Sequence, residues 1–264
     1  MRYLLCLVGL GMLYSPANAE LIYSAANSVY TQNFNSLPTS GTDLTWTNDS
    51  TLSGWYSTSS LISASSGDSN NATLYSFGNG RGAERALGIV SKGGANAPEF
   101  ALAIRNNTGA TLNSIDVEFD GEQWRRSETN IGAPQTLQFG YRTATALGSI
   151  NTAAYTNVAG LGFQSPGFLL PGGQVDGNDS ANRTSNIHAT LNSLDWKQGE
   201  YLWLGWQNGA NGAGSLHGLG IDNFSFSATT SGTITAVPEP SSLILLLTVG
   251  WFVLRQRRRV KKQE

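Results

Sequence analysis

Four carboxylates stand at alternate positions in the segment SIDVEFDGEQWRR, Ser114–Arg126: Asp116, Glu118, Asp120 and Glu122. Read as a β-strand, the segment points Ile115, Val117 and Phe119 one way and Asp116, Glu118, Asp120, Glu122 and Trp124 the other. Alternate residues on one strand face lie roughly 6–7 Å apart, and residues four apart about twice that before side-chain reach is counted. Two carboxyl groups flanking a glycosidic bond supply the acid and the nucleophile or base that its hydrolysis needs. Four acids on one face also repel one another unless solvent, cations or arginines screen them. Arg125 and Arg126 follow directly, so the same row reads equally as a neutralised, solvated face.

A second acid, Asp222, sits in LGIDNFSF, where the apolar parity shifts between Ile221 and Phe224. That shift predicts a bulge at Asp222-Asn223 or an inward-pointing Asp222. The aromatic residues form a third group. In YLWLGWQ (residues 201–207) both faces are apolar, which predicts a central strand with Leu202, Leu204 and Trp206 on one side and Tyr201 and Trp203 on the other. One set fills a core. The other, with Trp124, is the candidate ligand-binding set, since flat rings stack on sugars; sandwiches also bury such residues routinely. The two histidines, His188 and His217, are 29 positions apart and have no thiol partners, which argues against zinc. G-x-S-x-G and phosphate-cradling loops are missing.

These residues need strands to hold them. Short alternating runs separated by Gly, Ser, Thr and Asn clusters predict strands at 29–35, 61–64, 73–77, 86–90, 100–105, 114–124, 136–142, 186–191, 201–207 and 218–227. Asn106-Asn107-Thr108-Gly109 reads as a hairpin turn. A series of half-apolar strands folds as an all-β, two-sheet antiparallel β-sandwich, because each apolar face needs an opposing sheet. A jelly roll is the expected form; a parallel β-helix would need a fixed repeat, and the sequence has none. Residues 20–228 form this domain and 229–236 (TTSGTITA) a hydrophilic linker. Residues 20–240 carry 9 Lys and Arg against 17 Asp and Glu, a net of −8. Such a domain repels nucleic acid and anionic membrane and suits a neutral glycan or a divalent cation.

Both ends carry addresses. Arg2, an apolar run over 3–14 and Ala17-Asn18-Ala19 before Glu20 make residues 1–19 a signal peptide for signal peptidase. The one cysteine, Cys6, lies inside it, so the mature chain has no thiol or disulfide. Residues 237–264 run from Pro238, Glu239 and Pro240 through an apolar stretch, 243–254, to a tail with Arg255, Arg257, Arg258, Arg259, Lys261 and Lys262. Twelve apolar residues rise about 18 Å as a transmembrane helix, short of the roughly 30 Å hydrocarbon core. The basic tail stays cytoplasmic, so the preceding chain lies across the membrane. This order resembles the PEP-CTERM sorting signal. The resemblance implies a transient inner-membrane anchor, then recognition of the Pro-Glu-Pro segment by an exosortase and delivery to the cell surface or extracellular matrix. An ordinary C-terminal anchor is the bland alternative.

Residues 33–56, GAERALG (82–88), GEQWRR (121–126) and SLHGLGIDNFSFS (215–227) resemble segments of exported bacterial β-sandwich domains found in PEP-CTERM proteins. That resemblance implies a jelly-roll, lectin-like fold and no assigned chemistry. Glu118-x-Asp120-x-Glu122 also resembles the catalytic strand of jelly-roll β-glucanases, which would make Glu118 the nucleophile, Asp120 an electrostatic helper and Glu122 the acid/base. Jelly-roll carbohydrate-binding modules carry a structural calcium on an Asp of the last strand and a residue of the first. By that likeness the metal residues are Asp222 with Asn33 and Asn35, helped by backbone carbonyls. The expected function is a non-enzymatic, exported surface or matrix protein that binds or packs within exopolysaccharide. A glycoside hydrolase using Glu118 and Glu122 and a purely structural or adhesive protein are the alternatives.

Overall fold

The computed structural model describes residues 20–80, 82–90, 98–128, 133–209 and 217–230. The chain divides into two compact units, residues 1–230 and 231–264, and every described residue belongs to the first. The expected signal peptide, the Pro238-Glu239-Pro240 motif and the apolar stretch after it lie outside the described residues.

The strands, in chain order, are β1 (Ile22–Tyr23), β2 (Val29–Gln32), β3 (Leu44–Thr45), β4 (Trp55–Ser57), β5 (Leu61–Ser65), β6 (Leu74–Phe77), β7 (Ala86–Val90) and β8 (Phe100–Asn106). Then follow β9 (Ser114–Arg126), β10 (Thr136–Ala144), β11 (Thr156–Asn157), β12 (Phe163–Gln164), β13 (Gly173–Gln174), β14 (Arg183–Leu191), β15 (Tyr201–Asn208) and β16 (Gly218–Thr229). One sheet has the order β1-β8-β15-β10-β11, with β4 beside β8 and β12 beside β10. The larger sheet runs β13-β9-β16-β7-β6-β5-β3, with β14 on β9 and β2 on β16. The all-β, sandwich-like architecture is as expected, but the sheets are mixed rather than purely antiparallel. β1 pairs β8 in parallel, and β5 pairs β6 in parallel, Ile62 opposite Leu74. The return between β5 and β6 passes Gly67, at φ +92°, against β9: a Cβ there would lie 1.8 Å from the Trp124 carbonyl oxygen.

The core between the sheets is aromatic. Trp206 of β15 stacks on Trp55 (5.8 Å between ring centres) and Phe100 (5.4 Å), and meets Phe119, Phe139 and Phe224 edge-on. Phe119 and Phe224 come from β9 and β16 of the larger sheet, so one ring joins both layers. Along β15 the alternation expected from the sequence is kept. Leu202, Leu204 and Trp206 enter this core, while Trp203 enters a second cluster with Tyr56, Ala101 and Ala103. Leu147, Ile150 and Tyr155 pack over that second cluster and leave Trp203 with no exposed surface.

Candidate functional site

The polar centre of the molecule lies where β16 changes neighbours. β16 pairs β9 along its length; on its other edge it pairs β7 over residues 218–221 and β2 over residues 224–227. Its register slips between Asp222 and Ser225, with Asn223 at φ +50°. The bulge therefore falls where the parity shift in the sequence places it, at the change of partner. On the far side of β9, β14 slips between Thr184 and Ile187, with Asn186 at φ +56°. Asparagine is among the few non-glycine residues that tolerate this conformation.

Asp120 stands between the two bulges and ties both. Its Oδ1 accepts the Asn186 backbone N–H (2.8 Å), its Oδ2 accepts the Asn223 side-chain amide (2.9 Å), and Arg183 ion-pairs with it. Burial alone would raise its pKa, but the hydrogen bonds from Asn223, Asn186 and Arg183 outweigh that and hold the carboxyl below its ordinary value. Asp120 is occupied by one backbone N–H and two side chains of its own sheet.

Glu122, two residues on, has no exposed surface. Trp124 Nε1–H donates to its Oε2 (2.9 Å), and Arg183 Nη1 lies 3.2 Å from its Oε1. Burial, reinforced by the charges of Asp222 and Glu84, pushes its pKa up to about 8. Asp222 is 4% exposed; burial, with the Glu84 charge added and the Asn223 N–H opposing, pushes it up to about 7. Glu84, half-buried just before β7, accepts the Asn178 amide on Oε2 (2.5 Å). One oxygen from each of Glu84, Glu122 and Asp222 lies within 4.8 Å of the others. Residues 175–182 cross over this face. Gly177 abuts the Trp124 ring, Asp176 Oδ2 accepts the Asn79 amide (2.8 Å), and the Asn182 amide donates to the Asp176 carbonyl (2.9 Å).

Several expected sites are redistributed. Glu118 is exposed, opposite His188 and Ser225, whereas Glu122 has no contact with solvent, so the two do not share an open cleft. Trp124 is fully buried, stacked on Phe77 (6.1 Å) beneath residues 175–182, and Trp203 is fully buried with Arg142 over its ring (5.0 Å). Trp203 offers no face to a sugar, Trp124 only edges a cavity of about 240 Å³ with Ser66, Asn79, Gln174, Val175 and Asp176, and of the expected set only Tyr201 is part-exposed. The calcium likeness pairs Asp222 with Asn33 and Asn35; among the described acidic, histidine and cysteine side chains, those that gather with Asp222 are Glu84 and Glu122. Asn35 Oδ1 accepts the Arg85 N–H (2.9 Å) and Asn33 Oδ1 the Asn35 N–H (3.2 Å), while Asp222 turns to Glu84 and Glu122. His217 is buried, its Nδ1 accepting the Ser127 N–H (3.2 Å), and burial lowers its pKa; His188 is half-exposed near Asp116 (3.7 Å).

Glu84 and Arg183 were not legible as site residues. The signal available was that Glu84, Glu122 and Asp222 each fall in one of the segments GAERALG, GEQWRR and SLHGLGIDNFSFS. Beside the bulge a polar cavity of about 340 Å³ opens, lined by Thr31, Gln32, Asn33, Asn223 and Phe224.

No protein-family profile and no curated protein matches the chain. Solved structures do. The K2 cleaved adhesin domain of Lys-gingipain aligns over 76% of this chain and 98% of its own, with 16% identity and a TM-score of 0.37. The CBM22-1 xylan-binding domain of Paenibacillus barcinonensis Xyn10C aligns over 80% and 100%, with 10% identity and a TM-score of 0.36. The xylan-binding module CBM15 aligns over 78% and 100%, with 10% identity and the same TM-score, 0.36.

Proposed function

We propose that the chain is an exported surface or matrix protein, sorted by an exosortase, whose β-sandwich contacts extracellular polysaccharide without cleaving it. The observation that carries the contact is the cavity at the β2–β16 junction, where Thr31, Gln32, Asn33 and Asn223 present neutral hydroxyl and amide groups. Such groups exchange hydrogen bonds with sugar hydroxyls at little desolvation cost. The non-enzymatic reading rests on access: Glu122 has no surface, and Asp120 is committed to two backbone bulges. With Trp203 buried and Trp124 only edging a cavity, the reading is one of weak, repeated contacts rather than a broad stacking platform.

Two experiments test the reading. Thr31→Ala combined with Asn33→Ala should weaken retention on exopolysaccharide from the producing cells about tenfold, at roughly 0.5–1.5 kcal/mol per lost hydrogen bond, and lower the melting temperature only slightly through the lost bond from the Asn35 N–H. Equal retention of wild type and variant would leave a purely structural protein; new reducing ends, lost in Glu118→Gln, would make it a hydrolase. For sorting, replacing Pro238, Glu239 and Pro240 by Ala should leave the chain uncut in the inner membrane, because the two prolines hold the segment extended. Intact mass of surface-released wild-type protein should exclude Trp251; finding Arg257–Lys262 in it would reject the sorting signal.

A further inference from the structure

We propose that Glu84, Glu122 and Asp222 form a buried site for one oxygen-preferring divalent cation, with Ca2+ as the occupant. The proposal is independent of glycan binding. Its geometry is the first support. Oxygens on opposite sides of a calcium ion, each at 2.3–2.6 Å, are about 4.6–5.2 Å apart, and carboxylate oxygens of all three residues already lie within 4.8 Å of one another. The second support is a polar atom with nothing to bind. Asp222 is 4% exposed, yet its Oδ1 has no hydrogen-bond partner among the described residues. Glu84 Oε1 is likewise buried and without one. Buried carboxylate oxygens are ordinarily satisfied, and a cation satisfies these without any rearrangement of the strands.

Charge gives the third support. Asp120, Glu122, Asp222 and Glu84 converge here, and among the described residues Arg183 is the guanidinium that ion-pairs with them, through Asp120 and Glu122. Arg85, next to Glu84, is spent on the carbonyl oxygens of Gly80 and Gly82 (2.8 Å each). Donor chemistry then selects the ion. Three carboxylates, each contributing one oxygen to the cluster with neither imidazole nor thiolate, are a hard set that suits calcium better than zinc or copper, the remaining ligands being water or backbone carbonyls. Glu84 precedes β7, Glu122 is on β9 and Asp222 on β16, so the ion would clamp three neighbouring strands. Asn178, whose amide meets Glu84, would couple it to the crossing segment 175–182. This set shares Asp222 with the one that the likeness to carbohydrate-binding modules implies but takes two carboxylates, Glu84 and Glu122, in place of Asn33 and Asn35.

Trp124 provides the readout. Its indole N–H donates to Glu122 Oε2 at 2.9 Å, which places a light-absorbing ring beside the ion. The purified full chain, stripped with chelator, should show tryptophan-excited Tb3+ luminescence that saturates at one ion per chain and is displaced by Ca2+. Ca2+ at millimolar concentration should raise the melting temperature by at least about 5 °C, because a ligand that binds only the native state stabilises it by mass action. Glu84→Gln and Asp222→Asn should each weaken Ca2+ at least tenfold, and Glu118→Gln, on an exposed side chain, should not. Glu84 is half-buried, so its variant should still fold if Asp222→Asn does not. The proposal fails if stripped wild type gives neither luminescence nor a calcium shift, or if both persist in Glu84→Gln. A shift with Mg2+ and none with Ca2+ would overturn the choice of ion.

Discussion

Trp206→Ala should destabilise the domain by about 3–5 kcal/mol, the usual cost of deleting a buried aromatic ring, and lower its melting temperature by about 6–20 °C. The ring contacts aromatic residues of both sheets: Trp55, Phe100 and Phe139 from one, Phe119 and Phe224 from the other. Rings from five strands line the hole that alanine would leave. They cannot all collapse into it, because each is held by its own strand's hydrogen-bond ladder. Trp206→Phe should cost clearly less, for two reasons. Phenylalanine keeps most of the contact, and it removes an indole N–H that has no partner among the described residues. Urea titration followed by circular dichroism measures both. A loss under about 1 kcal/mol for the alanine variant would mean that the sheets are held together elsewhere.

What the sequence made legible is what strand periodicity encodes. The two faces of β15 separate as Leu202, Leu204 and Trp206 against Trp203, and Ile115, Val117 and Phe119 enter the core as the alternation requires. The parity break at Asp222-Asn223 marks a real bulge. Period two tells which residues share a face, but not whether another layer covers it. Trp124 and Trp203 show the limit. Each is covered by a segment remote from it in the chain, residues 175–182 for Trp124 and Leu147, Ile150 and Tyr155 for Trp203. Both segments are rich in polar and small residues and read locally as loops. The carboxylate cluster was hidden for a related reason. Its three acids are brought together by the strand order β9-β16-β7, which is a non-local property. The parallel pairing of β5 with β6 depends in the same way on the path of a short return, with Gly67 pressed against β9.

Asp120→Ala is expected to cost about as much as the loss of Trp206, although it removes almost no apolar surface. The Asp120 carboxylate receives an N–H from the β14 bulge, an amide from the β16 bulge and the Arg183 guanidinium. Breaking a buried ion pair by removing one partner typically costs about 3–5 kcal/mol, because the other charge is left uncompensated. Here Arg183 would keep Glu122, so the lower half of that range applies to the pair. The Asn186 N–H and the Asn223 amide lose the same acceptor, so their loss is counted within that range of about 3–5 kcal/mol, bringing the total to about its middle, and is not added to it. Asp120→Asn should be intermediate, since its oxygen can still accept the Asn186 N–H while the charge is gone. Asp116→Ala is the control. Asp116 is half-exposed on the same strand face, its partners are Thr190 and His188, and its loss should cost under about 1 kcal/mol. The comparison also separates two roles for Asp120. An electrostatic helper in catalysis would leave the urea midpoint of Asp120→Asn near wild type and abolish sugar release. A tie between two β-bulges lowers the midpoint instead and leaves no sugar release to abolish. A wild-type midpoint for Asp120→Ala would remove the structural role.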